Sequence, residues 1–263
     1  MANGERKRAL RGRAGRMKGG RGSGKGTPGH VRLWGRHAVE AALKNPERQH
    51  RKLWATREGV ESMDGELPND FPVEYAEPAD LGRMVAKDAP HQGLVLECDP
   101  LPDQFLDSFL SGEADKPIVI LDQVTDPHNV GAIMRSCAAF GAAALVTQDR
   151  HAPPEGGVLA KSASGALETV PWVRVVNLAR AMEEMAEAGY WRIGLTGAAE
   201  ATLAEALPTG AVALVLGAEG EGMRHNIEGH CDALAKLPIT SAIESLNVSN
   251  AAAIALYAAA TRN

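Results

Sequence analysis

Ile118-Val119-Ile120-Leu121, followed by Asp126-Pro127-His128-Asn129-Val130-Gly131 and then Arg135 and Phe140, decides the fold class. The first four residues are an unbroken apolar run of strand length, as expected of a strand covered on both faces in a parallel sheet. Asn129, two residues after Pro127, reads as a helix N-cap. Val130, Ile133, Met134, Cys137 and Ala138 then fall at i, i+3, i+4, i+7 and i+8, one apolar stripe of a helix. The same alternation continues downstream. Ala144-Leu145-Val146, Arg192-Ile193-Gly194-Leu195 and Val212-Ala213-Leu214-Val215-Leu216 read as strands, and 130–140, 178–188 and 246–259 as helices. The class is α/β with a mainly parallel sheet.

In such sheets function sits where strands end. Arg135 lies about 130° from the centre of the apolar stripe at about 100° per residue, so it is not a core residue. It is either a solvated helix arginine or a cation held near a helix N-terminus for a phosphate or a developing negative charge. Leu216-Gly217-Ala218-Glu219-Gly220-Glu221-Gly222-Met223 follows the most apolar strand, and its glycines let backbone approach a ligand closely. It matches neither a P-loop nor a dinucleotide fingerprint. The plain alternative is a tight turn with Glu219 capping a helix. Leu237-Pro238-Ile239 leads to Ser245-Leu246-Asn247-Val248-Ser249 and an alanine-rich helix. Ser245 is its expected N-cap, which leaves the crowding of Asn247, Ser249 and Asn250 in the first turns unexplained.

The remaining sequence sets limits. The 263 residues suffice for two domains, with a 44% hydrophobic fraction and 4% aromatics, so the core is built of small and aliphatic side chains. No apolar run is long enough to span a membrane, and the basic N-terminus lacks a secretory apolar region. Cys98, Cys137 and Cys231 form no CxxC pair and fit a reduced, cytoplasmic compartment. Net charge is −5, yet residues 1–30 carry nine Arg and Lys against the single acid Glu5, leaving the remainder strongly acidic. An arm of this composition is expected to be disordered alone. It serves either RNA phosphates or solubility.

Gly35 to Leu43 reads as a helix with Val39 and Leu43 inward, Lys52 to Ala55 as a strand, Leu81 to Val85 as a helix and Gly93 to Leu96 as a strand. Residues 99–116, with Pro100, Pro102 and Gly112, read as a linker containing one helical turn near 105–110. The expected division is a basic arm at 1–30, a small α/β unit at 31–98, the linker, and a larger α/β unit at 117–263.

The three strand-end segments, in this order, resemble the motifs of the SpoU (TrmH-type) RNA 2'-O-methyltransferases. Ala163-Ser164-Gly165-Ala166-Leu167-Glu168-Thr169-Val170-Pro171, Arg174-Val175 and Asn177-Leu178-Ala179-Arg180 resemble the subgroup acting on a 23S rRNA guanosine. The likeness covers 117–263 well and 32–98 loosely. There the Gly35-Arg36-His37-Ala38-Val39 and His91-Gln92-Gly93 patterns are similar to the subgroup's ribosomal-protein-like substrate-binding domain. His37 and His91 are RNA contacts in that reading, or capping and packing groups otherwise.

The resemblance implies an α/β-knot fold, a homodimer, and S-adenosylmethionine held by Gly217, Leu237 and Leu246. It implies catalysis or substrate handling by Asn129, Arg135, Glu219, Ser245 and Asn247. It implies no metal. Ser241 departs from the family, which often has Gly there, so a left-handed backbone at that position would be strained. The same chemistry on tRNA or another rRNA site, and a non-catalytic ribosome-assembly factor, are the competing readings. A nucleotide-dependent oxidoreductase lacks its early glycine fingerprint.

Overall fold

The computed structural model describes residues 29–65, 67, 71–110 and 116–262. The basic arm expected at 1–30 therefore falls outside the described residues except for its last two. In chain order the elements are β1 (Val31–Trp34), α1 (Arg36–Lys44), β2 (His50–Ala55), α2 (Arg57–Glu61), β3 (Val73–Tyr75), α3 (Pro78–Met84), β4 (Leu94–Cys98), α4 (Asp107–Leu110), β5 (Ile118–Leu121) and α5 (Pro127–Phe140). They continue with β6 (Ala144–Gln148), α6 (Gly157–Ala163), β7 (Trp172–Val175), α7 (Leu178–Glu187), β8 (Trp191–Leu195), α8 (Leu203–Ala206), β9 (Val212–Leu216), α9 (His225–Glu228), β10 (Ala233–Ala235) and α10 (Val248–Thr261).

The larger sheet has the order β10-β8-β9-β5-β6-β7, and every pairing in it is parallel. Every residue of β5 and β9 is buried, as their continuous apolar runs require of strands covered on both faces. The chain leaves β5 toward β6 and β7 on one side, then returns to build β8 and β9 on the other. This reversal opens a crevice beyond the C-terminal ends of β5 and β9, where ligands bind in open α/β sheets.

Local chemistry fixes the helix that enters this crevice. Asp126, not Asn129, is the N-cap of α5: its side chain accepts from the His128 N–H at 2.9 Å, and Pro127 occupies the first turn. Pro needs no N–H partner there and has the right φ, so Asp126-Pro127 outcompetes Asn129 as the start signal. Asn129 is thereby left inside the first turn with its side-chain oxygen not engaged in capping. Gly141 ends the helix in the left-handed region at φ 69°. The apolar stripe is narrower than expected: Val130, Ile133, Met134 and Cys137 are buried, but Ala138 is exposed.

The N-terminal sheet has the order β1-β4-β2-β3, with β4 antiparallel to both β1 and β2, and β2 parallel to β3. Helix α6, which the sequence reading missed, lies between this unit and α5. A Cβ on Gly157 would overlap the Trp34 ring, and one on Gly131 would lie 2.5 Å from the Leu159 carbonyl oxygen. Glycine therefore lets α6 approach β1 on one side and α5 on the other. One buried cluster accordingly runs from Leu33, Val39 and Leu53 through Leu159 and Ala163 to Val130, Ile133 and Leu256.

Polar groups reinforce the seam. The Arg48 side chain is 0% exposed and pairs with Glu155 and Glu168, the latter at 2.5 Å. Arg48 also donates to the Asp99 carbonyl at 2.9 Å, and Asn45 donates to Glu168 at 2.8 Å. Burial pulls the guanidinium pKa down, but the bonds to Glu168 and Glu155 more than offset this and raise it.

The segment read as a linker is docked onto the larger sheet. Gln104 pairs with Val173 as a parallel bridge, Leu106 is buried, and Phe109 accepts a bond from the Tyr190 hydroxyl at 3.1 Å. The thiols of Cys98 and Cys137 are buried and that of Cys231 is half-buried, and desolvation pushes each up to about 12. No helix among the described residues is long and apolar enough to cross a membrane.

Replacing Arg48 with Met leaves two buried carboxylates facing each other. Unfolding in urea should show a loss of about 3–5 kcal/mol. A second expectation concerns acid. Arg51 and then His30 hydrogen-bond Asp99 and hold its pKa down from 3.8 to about 2. A depressed carboxylate stabilises above its unfolded-state pKa and loses that contribution as pH falls through the folded one. Any melting-temperature advantage of the wild type over Asp99→Asn should therefore shrink as pH falls from about 4 toward about 2.

Candidate active site

Three chain segments meet beyond the C-terminal ends of β5, β9 and β10. The first begins at Asp122, which is fully buried and bonds its backbone N–H to the Leu216 carbonyl at 2.8 Å. Its carboxylate accepts from Arg224 three times, from N at 2.8 Å, Nε at 2.9 Å and Nη2 at 2.6 Å. Arg224 also donates to the Gln148 side chain at 2.9 Å. The clamp ties the end of β5 to the chain just after the glycine-rich segment. Sequence reasoning passed over these three residues. The available signal was an acid directly after an apolar strand and an arginine directly after a glycine run.

The glycine-rich segment closes on itself. Ala218 and Gly222 exchange backbone hydrogen bonds at 3.1 and 3.0 Å, with Glu219-Gly220-Glu221 at the tip. A Cβ on Gly217 would collide with the backbone of Gly222 and Met223, so only glycine permits this closure. The fold-back leaves Glu219 exposed and aimed at the start of α10.

Glu219 is where the segments join. Its Oε1 accepts from the Asn129 amide at 3.3 Å, from the Asn247 amide, and from the Val248 backbone N–H at 3.3 Å. Asn247 also donates to Asn129 Oδ1 at 3.0 Å. Glu219 does cap a helix, but the helix is α10, 29 positions on, not one that follows it directly. Asn129, Glu219 and Asn247, dispersed over the sequence, thus form one hydrogen-bonded triad.

Other expected site residues lie apart from the triad. Ser245 is exposed, and no hydrogen bond of its side chain is found among the described residues. It is not the N-cap of α10; Asn247 is, accepting from the Ser249 N–H at 2.9 Å. That role explains the polar crowding after Ser245. Arg135 sits six residues after Asn129, about 240° around the helix at about 100° per residue, so it leaves α5 on a different flank. It is exposed, with no ion-pair partner among the described residues. Gly217, Leu237 and Leu246 are half-buried, and Leu237 packs against the main core. Residues 237–246 belong to no strand and hold a turn at Ser241-Ala242, so their amides and carbonyls lie outside the sheet ladders. Ser241 is not among the residues with positive φ, so the strain expected from a non-glycine there is absent. His91 Nδ1 accepts from the Gly93 N–H at 3.1 Å, a turn-stabilising role, while His37 is exposed.

The substitution Asn247→Asp tests how the triad is held. It keeps the N-cap acceptor but removes the amide donor and sets a second carboxylate against Glu219. Like charges raise the folded-state pKa of one of the pair. The variant's stability should therefore approach wild type at acid pH and fall away as pH rises through that raised value, by about 1–2 kcal/mol in thermal unfolding.

Comparison with known proteins identifies the family. The SpoU rRNA Methylase family matches residues 116–257, and the RNA 2'-O ribose methyltransferase substrate binding family matches residues 32–104. The 23S rRNA (guanosine-2'-O-)-methyltransferase RlmB of Vibrio vulnificus is 38% identical over 235 residues, covering 86% of this chain and 95% of that protein. Its namesake in Vibrio cholerae is 41% identical over 234 residues, covering 86% and 95%. Among solved structures, the SpoU methyltransferase AviRb from Streptomyces viridochromogenes, in complex with AdoMet, aligns with a TM-score of 0.73 at 25% identity, covering 88% of this chain and 89% of that one. An RNA 2'-O ribose methyltransferase shares the fold at a TM-score of 0.74 and 22% identity, covering 88% of each chain. With its family segment spanning both β5 and α10 and its relatives matched nearly end to end, the chain belongs to the SpoU rRNA methylase family.

Proposed function

We propose that the chain methylates the ribose 2'-hydroxyl of a guanosine in 23S rRNA at the site built around Asn129, Glu219 and Asn247. It is an S-adenosylmethionine-dependent RNA methyltransferase. The observation that carries the reading is the convergence of the three motif segments on one carboxylate oxygen of Glu219.

The residues present fit the methyl donor. Residues 237–246 have backbone amides and carbonyls free of any ladder, suited to the polar edge of an adenine. The half-buried Leu237 and Leu246 supply apolar walls, and Gly217 lets the backbone come close. When bound, S-adenosylmethionine supplies an electrophilic methyl group.

The protein's share is positioning and charge. An arginine side chain does not give up its proton in proteins, so Arg135 is not assigned as the general base. It orients the 2'-hydroxyl and the adjacent phosphate and keeps positive charge beside the developing alkoxide. With the donor bound, the hydroxyl proton would pass to phosphate or water as the oxygen–carbon bond forms and the sulfur–methyl bond breaks, leaving a neutral thioether. Asn129 and Glu219 hold the ribose, and Ser245 and Asn247 hold the loop that precedes α10.

The finer architecture in this reading is a trefoil knot, with the 236–247 segment threaded beneath the glycine-rich loop. Hydrogen bonds from Asn247 to residues 118 and 28 positions earlier support it. The enzyme works as a homodimer in the cytoplasm. Support for the dimer is the apolar exposure of Ile254 (46%) and Tyr257 (57%) on α10, with Phe140 packed on Tyr257 at 5.9 Å. Arg135, Ala138 and Ala139 share the neighbouring flank of α5, which a second copy would enclose. The domains follow the sequence division, with 31–98 binding RNA and 117–263 carrying the chemistry.

Tritium transfer from labelled S-adenosylmethionine to rRNA lacking the modification tests the reading. Label should enter 23S rRNA as 2'-O-methylguanosine and fall by about 10²–10³-fold in Arg135→Ala. Label in tRNA instead would move the substrate. Near-normal turnover in Arg135→Lys would show that charge suffices without the planar guanidinium.

A further inference from the structure

Most arginines of the N-terminal unit are matched by carboxylates: Arg32 by Glu97, Arg36 by Glu40 and Asp64, Arg48 by Glu155 and Glu168, and Arg51 by Asp99. Lys161 on α6 is not. Its ammonium donates to the neutral amide oxygen of Gln92, and no ion pair of Lys161 is found among the described residues. The same Gln92 oxygen accepts the Arg36 N–H at 3.1 Å, so Lys161 stands at the contact between the small unit and α6. Gln92 holds a left-handed backbone, with φ 54°, to present that oxygen. The lysine is half-buried, and burial alone lowers its pKa.

The next residue, Ser162, faces the other way. Its hydroxyl lies 3.2 Å from His128 Nδ1, and His128 adjoins Asn129 of the triad. Two neighbouring residues of α6 thus touch different parts of the molecule, Lys161 the His91-Gln92-Gly93 turn and Ser162 the active-site end of α5. An uncompensated cation in a strongly acidic body, partly withdrawn from water and with donors to spare, is a place for an anion.

Resting on the proposed RNA ribose methylation, we infer that Lys161 is a substrate-positioning residue that binds an RNA backbone phosphate where the strand passes from the small unit to the catalytic crevice. The lysine contributes affinity and register and takes no part in the bond-making step.

The test uses the full chain and an in vitro transcript of 23S rRNA. Binding is measured over a salt series for wild type, Lys161→Met, Lys161→Arg and Gln92→Ala. Removing one phosphate contact lowers the slope of log affinity against log salt by about 0.7–0.9, so Lys161→Met should lose about threefold less affinity than wild type between 50 and 200 mM salt. Lys161→Arg keeps the wild-type slope. Gln92→Ala, which removes the lysine's protein partner but not its charge, keeps it as well.

A wild-type slope in Lys161→Met, with or without a drop in melting temperature, would make the lysine a packing element and overturn the inference. An equal loss of slope in Gln92→Ala would do the same, by tracing the effect to displaced units. The methylation reading fails separately: wild-type enzyme that binds S-adenosylmethionine yet labels no RNA sinks that reading, whatever the salt slopes are.

Discussion

The Asn129 amide, the Asn247 amide and the Val248 backbone N–H all converge on Oε1 of Glu219. A charged acceptor forms stronger hydrogen bonds than a neutral one, and three donors on one oxygen constrain its position closely. The three segments come from the ends of different strands, and this carboxylate joins them beside the Asp122–Arg224 clamp and the packing of α5 on α10. The asparagines in turn depend on how their helices begin. Asp126 takes the cap of α5, which frees the Asn129 side-chain oxygen to accept from Asn247, while Asn247 divides itself, its oxygen capping α10 and its nitrogen meeting Glu219. Helix starts and site geometry are one arrangement of atoms.

Helix α6 is the second constraint. Gly157 admits Trp34 and Gly131 admits the α6 backbone, so the small unit, α6 and α5 stack without room for an intervening methyl group. Close-packed interiors of this kind transmit displacement instead of absorbing it. The buried Arg48 between Glu155 and Glu168 adds a polar register to the same seam, since its geometry is satisfied in one docking arrangement only.

Much of the larger unit was legible in the sequence because its strands are unbroken apolar runs. Ile118–Leu121 and Val212–Leu216 were read with the boundaries they have. Strands β1, β3, β7 and β10 were missed; they have three or four residues each, too few for a period to show. Helix α6 was hidden by its glycine start and its seven-residue length. In the site, motif resemblance found Asn129, Glu219 and Asn247, whose meeting no local pattern implies. Asn129 and Ser245 were both misread as caps because capping residues cluster near helix starts and nearest position is a poor guide. Asp126-Pro127 was the better signal for α5, and Asn247 lay two residues beyond Ser245. Arg135 was rightly placed off the core stripe, but helical rotation sets it on a flank of its own, a distinction that one-dimensional spacing to Asn129 obscures. Asp122 and Arg224 were overlooked because an ion pair on a buried carboxylate is a property of two residues 102 positions apart.

The docked segment between the two sheets has a further consequence. An open parallel sheet ends in two edge strands, each a row of unpaired amides and carbonyls able to recruit a strand from another molecule. At β7 the Gln104 backbone occupies that row beside Val173, and Arg174 reaches out to Asp103 at 3.0 Å. At the far edge, β10 is only three residues long and leads into Lys236, already bridged to Thr202. What reads in sequence as a proline-broken connector thus serves as an edge guard, sparing the sheet from pairing with copies of itself while the chain is being made and folded.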